Sequence, residues 1–198
     1  MSGPLRCPIL LALSLVPLLL GATPPATEHQ LLGGTVTRVI DGDTIEVQLG
    51  KRRIPVHLRG IDAPERGQPW SREATEALAQ MVLNQDVDLE PLGLDDQNRR
   101  TTIVFVGEEE VGAAMVRDGH AWADRRHLSA SDTELCELEA DARERKAGLW
   151  ALPARDRIAP WEYRRRLLHR HFSDYSEESV EHCMAAAEKR VDGERHRD

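Results

Sequence analysis

The stretch from Gly34 to Gly60 constrains the fold more than any other part of the chain. It is strand text throughout: "TVTRVI", "TIEVQL" and "RRIPVHLRGI", separated by Asp41-Gly42-Asp43 and by Gly50-Lys51. Apolar residues alternate at Ile45, Val47 and Leu49, and again at Ile54, Val56 and Leu58, which is the period of a half-buried strand. Such short Asp- and Gly-rich connections join antiparallel neighbours. A meander of three strands therefore opens the domain. One detail exceeds what a turn requires. Asp41 beside Gly42 is enough to turn the chain, so Asp43 is either a solvated turn residue or the first half of a metal site.

After the meander, "SREATEALAQMVL" spaces Ala74, Ala77, Leu78, Met81 and Val82 as a helix does, with Ser71 as the expected cap. "DVDLEPL" and "TTIVFVG" read as two more strands, and Gly107 as a turn. "EVGAAMVRDGH" reads as a helix that stops at Gly119. A last long helix begins at "SDTE", where Ser131 and Glu134 form a capping box. It carries Leu135, Leu138 and Ala142 on one face and ends at Gly148. Three strands, a helix, two strands and two helices make an α+β chain. This is the plan of a five-stranded OB-fold β-barrel with a helix inserted after the third strand. The domain is expected over residues 33–166. "ALPARDRIAPWEYRRRLLHR" reads as an extended wrap-around segment leading into a basic stretch, whose arginines read first as a solvated helix face, with a basic contact for phosphates as the alternative. Residues 167–198 form a C-terminal extension, partly helical or disordered. Within it Asp174 and Glu177 are candidate caps for a short helix bearing Val180, Cys183, Ala187 and Val191.

Residues 1–26 stand apart from the fold. One Arg, an apolar run from Pro8 to Leu20 and then small residues and prolines make a secretory signal peptide pattern, with an uncleaved anchor as the alternative. Export implies a secreted or periplasmic protein. An oxidising compartment would permit Cys136 and Cys183 to pair; two partly buried thiols is the other reading. The formal net charge is −8, whereas simple nucleic-acid-binding modules are basic. A chain this acidic needs a local basic patch, a metal ion or both before it can engage a polyanion.

The third strand runs into "GIDAPE", which adds Asp62 at a strand end and Glu65 three residues on. Pro64 biases Ala63 towards extended backbone, which can turn its carbonyl outward. In a meander the first hairpin and the end of the third strand are neighbours, so Asp43, Asp62 and the Ala63 carbonyl are expected to converge. Carboxylates with a backbone carbonyl, and neither Cys nor His beside them, suit a hard cation such as calcium. Glu65 then stands where a general base would activate water. In "DDQNRR", Arg99 and Arg100 open the last barrel strand, and arginine has the planar fork that clamps phosphate. Together these groups are what attack on a phosphodiester needs.

"VIDGDT", "GIDAPE" and the spacing of Asp95 to Arg99 together resemble the staphylococcal nuclease (thermonuclease) family. "AAMVRDGHAW", "EADARERKAGLW" and "PWEYRR" resemble its secreted bacterial members, and the resemblance runs from about Gly34 to Arg166. It implies an OB-fold barrel with three helices that hydrolyses DNA and RNA with calcium and leaves 3′-phosphate ends. Asp43 and Asp62 then correspond to the calcium carboxylates, Ala63 to the carbonyl ligand, Glu65 to the general base and Arg99 to one of two phosphate arginines. His57 occupies the position where the family carries the other arginine, and Arg59, two residues on, is the candidate substitute. Gln97 and Asn98 also replace the family's Tyr and Gly in the loop before Arg99.

Two main readings follow. One is a calcium-dependent nuclease of low sequence specificity acting on DNA and RNA, preferably single-stranded, as a monomer with no stable membrane partner. The other is a binding module of the same fold with weakened catalysis, favoured by His57 and the altered loop. Protein binding through the C-terminal extension is a third, weaker reading. Trp70, Trp122, Trp150 and Trp161 read as packing residues, and Trp70, in the loop after Glu65, has base stacking as its alternative.

Overall fold

The computed structural model describes residues 31–94, 100–128, 132–167 and 180–186. The signal-like segment, the loop with Arg99, Ser131, Asp174, Glu177, Ala187 and Val191 lie outside the described residues.

The meander forms as its alternation dictates. Strands β1 (Leu32–Val39), β2 (Thr44–Leu49) and β3 (Arg52–Leu58) pair in sequence, with Val36, Ile45, Val47, Val56 and Leu58 buried on the inner face. A two-residue strand, β4 (Ile61–Asp62), follows, and then helix α1 (Ser71–Val82), which buries Ala74, Leu78 and Val82. Ser71 does not cap this helix: Trp70 holds the cap position at φ 72°, and the Ser71 carbonyl instead accepts a hydrogen bond from the Thr75 hydroxyl at 2.9 Å. Strands β5 (Asp86–Leu94) and β6 (Arg100–Val106) then return antiparallel to one another, β5 beside β1. Parallel pairing of β3 with β6, His57 opposite Thr101 and Leu58 opposite Thr102, closes five strands into a barrel. The architecture is the expected OB-type α+β fold.

Short strand β7 (Glu109–Glu110) leads into α2 (Val111–Arg117). The helix ends as the sequence indicates. Gly119, at φ 74°, donates to Val116 O at 3.0 Å while the His120 amide reaches back to Met115 O at 2.8 Å, a paired closure that needs a left-handed residue. A β-carbon on Gly119 would also meet the Ala147 carbonyl at 2.3 Å, so glycine is demanded twice there. Strand β8 (Trp122–Ala123) pairs with β4, setting Asp62 opposite Trp122. Helix α3 (Thr133–Glu144) ends before Gly148, because Lys146 at φ 54° takes the left-handed turn and Gly148 opens a 3₁₀ segment instead.

The segment expected to wrap in extended form contains instead a 3₁₀ turn, Ala154–Asp156, and a helix, α4 (Pro160–Leu167). Proline suits the first turn of a helix, having no N–H to leave unpaired. A second apolar cluster explains why α4 docks. Trp122 meets Trp150 edge-on at 4.5 Å and Trp161 at 5.7 Å, with Ala142, Leu149 and Ala159 around them. Cys136 of α3 and Cys183 of the 180–186 helix form a disulfide, and Val180 and Met184 pack on the barrel core.

Candidate functional site

The Asp41-Gly42-Asp43 turn shows why two acids flank one glycine. The Asp41 carboxylate accepts the Asp43 amide at 3.2 Å, which makes Asp41 the turn former. Gly42 is buried so closely that a β-carbon would lie 2.7 Å from Ala63 Cβ and 2.9 Å from Ala74 Cβ. That approach brings Asp43 against the end of β3 and the start of β4. Its carbonyl accepts the Leu58 amide at 2.8 Å, and its Oδ2 accepts the Ala63 amide at 2.7 Å. Thr44 donates to Asp43 Oδ1 at 2.9 Å, and His57 Nδ1 lies 3.2 Å from the same oxygen. Burial alone would raise the Asp43 carboxyl. The hydrogen bond and charge of His57, with the Ala63 amide, outweigh that and hold it well below the usual carboxylate range.

Asp62 is buried beside this turn and receives two guanidinium groups. Arg164 of α4 binds it through both terminal nitrogens, Nη1 to Oδ1 at 3.1 Å and Nη2 to Oδ2 at 2.6 Å, and Arg126 Nη2 reaches Oδ2 at 2.8 Å. Arg164 Nη1 also donates to Glu65, whose side chain is 38% exposed at the mouth of the site. Burial pushes Asp62 up against the hydrogen bonds from Arg164, and the charges of Asp124 and Asp43 add to the rise, so its carboxyl stands at about 7. For Arg164, burial is outweighed by its bonds to Asp62 and Glu65, which push it above its ordinary value.

The loop carrying Glu65 is tied down on both sides. Gln68 accepts the Glu65 amide at 3.0 Å through its side chain, and its own amide donates to Glu65 O at 2.8 Å. The Gln68 side chain also donates to the Ile158 carbonyl, which links this loop to the segment entering α4. The Tyr163 hydroxyl of α4 lies 3.5 Å from where a β-carbon on Gly67 would stand.

The structure thus gathers Asp43, Asp62, Ala63, Glu65 and His57 at one end of the barrel. His57 is buried and bound to Asp43 and Thr44 rather than aimed at solvent. Arg59 departs from expectation. The regular strand ends at Leu58, and the Arg59 guanidinium turns to Asp132 at 2.9 Å. Trp70 stacks on His120 with ring centroids 6.1 Å apart and donates Nε1–H to His120 Nδ1 at 3.2 Å. Arg164, Arg126 and Gln68 escaped the sequence reading. The run "EYRRR" was the available signal for Arg164, and it reads equally as a solvated face.

Oxygen donors on Asp43, Asp62 and the Ala63 backbone suit a hard cation in chemical type. Among the described residues no group of three or more His, Cys, Asp and Glu side chains is placed to hold a metal. In this structure both Asp62 oxygens accept guanidinium bonds, from Arg164 and Arg126, and both Asp43 oxygens accept hydrogen bonds, from Thr44 and the Ala63 amide. The fit to a hard cation is one of donor type.

Comparison with known proteins bears on this geometry. Residues 55–152 match the family described as "Staphylococcal nuclease homologue". A protein named ParB from Escherichia coli is 41% identical over 143 residues, covering 68% of this chain and 80% of that protein. A "Micrococcal nuclease" of Shigella flexneri is 35% identical over 141 residues, covering 67% of this chain and 80% of its own length. An "Uncharacterized endonuclease" of Escherichia coli O157:H7 is 34% identical over 134 residues, covering 67% of this chain and 85% of that protein. With its closed five-stranded barrel and relatives matched over most of their length, this chain belongs to the staphylococcal nuclease family.

Proposed function

We propose that this protein is a calcium-dependent nuclease, secreted or periplasmic, that hydrolyses DNA and RNA with low sequence specificity and prefers single strands. Relatives named as a micrococcal nuclease and an endonuclease support nuclease activity. The observation that carries the chemistry is the pair of buried acids, Asp43 and Asp62, with the more exposed Glu65 at their edge. In this reading Asp43, Asp62 and the Ala63 carbonyl hold calcium, which supplies positive charge beside the phosphate oxygens when bound. Glu65 takes the proton of the attacking water. The water oxygen forms the new bond to phosphorus, and the bond to the 5′ oxygen breaks, that oxygen taking a proton from solvent and leaving a 3′-phosphate on the other product. Arg99 contributes a phosphate contact. The domain spans residues 33–166, after a signal segment at 1–26 and before a C-terminal extension at 167–198.

Hydrolysis of denatured DNA, followed with calcium and with chelator for wild type and Glu65→Gln, tests this. Calcium-dependent cutting that Glu65→Gln lowers by about 10²–10⁴-fold is the expected result. The burial of His57 against Asp43 favours a second reading, a binding module of the same fold with weak catalysis. Wild type that binds single strands without cutting them would establish that alternative. Cutting that ignores both chelator and Glu65→Gln would remove the assignment of the acids.

A further inference from the structure

The two guanidinium groups on Asp62 differ in what anchors them. Arg126 has a footing of its own: its Nε and Nη2 bind Asp124 at 2.8 and 2.7 Å, and the group lies 4.9 Å over the Trp161 ring. It keeps those partners whatever happens at Asp62. For Arg164, every hydrogen bond of the guanidinium among the described residues ends on Asp62 or Glu65, the groups the reaction uses.

Its backbone, by contrast, is firmly placed. Trp161, one helical turn earlier, is buried against Trp122, and Trp122 is the strand partner of Asp62. The Gln68 bond to Ile158 fixes the entry to α4 beside the Glu65 loop. So α4 is a wall of the site, and it holds the Arg164 guanidinium at the edge of the acids, where the side chain is 27% exposed. A guanidinium fork fits two oxygens of a phosphate as it fits two of a carboxylate. The other basic candidates described here are committed elsewhere, His57 to Asp43 and Arg59 to Asp132.

We propose that Arg164 is a catalytic residue of this nuclease: its guanidinium passes from Glu65 and Asp62 to the non-bridging oxygens of the scissile phosphodiester. There it stabilises the charge that develops as water attacks. Its departure also vacates the Glu65 oxygen that must accept the water proton. Arg164 stays protonated throughout and only changes partners. The water oxygen forms the bond to phosphorus and Glu65 receives the water proton, while the 5′ oxygen leaves with the bonding pair and takes a proton from solvent water. Arrival of substrate and readiness of the base are thereby one event. The inference rests on the nuclease reading above.

The test uses the full chain as wild type, Arg164→Ala and Arg164→Lys. It reads steady-state cleavage of denatured DNA, binding of fluorescent oligothymidylate in chelator, and thermal melting. Arg164→Ala is expected to lower kcat by about 10²–10³-fold. Added guanidinium ion at millimolar levels should restore part of that loss and leave wild type unchanged. Arg164→Lys keeps the charge without the fork and should fall between the two, which guards against an alanine variant that folds poorly. A faster Arg164→Ala enzyme would mean that the arginine is an inhibitory latch, and the proposal would fall. It also falls if kcat is unchanged, or if a loss tracks the melting temperature and guanidinium does not repair it. Should wild type fail to cut at all, the nuclease reading fails separately. Binding then decides the arginine: Arg164→Ala must weaken oligothymidylate at least tenfold, or this proposal fails as well.

Discussion

Single residues at this site show the fold setting neighbouring carboxylates to opposite values. Asp43 is held low by His57 and the Ala63 amide, while Asp62, one residue from Ala63, is pushed up by burial and by the charges around it. Asp124 lies on the other side of Arg126. Burial alone would raise it, but the hydrogen bond from His127 and the Arg126 charge hold it below the usual carboxylate range. A depressed acid stabilises the folded state fully above its unfolded pKa and loses that contribution as pH falls through the lower, folded value. Wild type should therefore lose stability below about pH 4. Asp124→Asn should melt at a lower temperature near neutrality and show a shallower decline in acid, which melting curves between about pH 3 and 7 would reveal. Equal acid slopes for the two proteins would show that Asp124 does not carry this linkage. Of these residues the sequence made Asp43, Asp62 and Glu65 legible, because an acid in excess of what a turn needs sits within a few positions of another. It left Arg164 unread. That contact spans 102 residues to Asp62, and no local period announces it.

Among the elements, the barrel strands followed from alternation and turn chemistry, since β1–β2, β2–β3 and β5–β6 pair neighbours in sequence; the closing pairs β1–β5 and β3–β6 join distant ones. Helix α4 did not. Its docking is decided by Trp122, Trp150 and Trp161, which are distant in sequence and met only in the folded chain. Ser71 misled for a similar reason: the Glu65–Gln68 turn and the left-handed Trp70 place it one step inside the helix. The Cys136–Cys183 bond likewise joins elements 47 residues apart and holds the 180–186 helix on the core, where Val180 and Met184 pack. Closing a loop of this length removes conformations from the unfolded chain, an effect of about 2–4 kcal/mol. Replacing both cysteines by serine should lower the unfolding free energy by that amount, measured by denaturant titration. An unchanged midpoint would show that the C-terminal helix is held by packing alone.

On the scale of the whole molecule, a formal charge of −8 opposes the approach of a polyanion. What attraction there is must come from a bound cation and from Arg126 and Arg164, which the structure holds against Asp62, Asp124 and Glu65. Oligothymidylate affinity is therefore expected to rise severalfold on adding calcium and to fall with salt. Fluorescence anisotropy across a calcium series measures this, and binding that is indifferent to chelator would count against a cation at Asp43 and Asp62.

The reach of α4 across the sequence has a further consequence, in time rather than in space. Glu65 and Arg164 are separated by 99 residues. At synthesis rates of about 5–20 residues per second, the acids of the site emerge on the order of 5–20 s before the arginine that meets them. A chain still being synthesised therefore carries Asp62 and Glu65 before Arg164 exists to bind them.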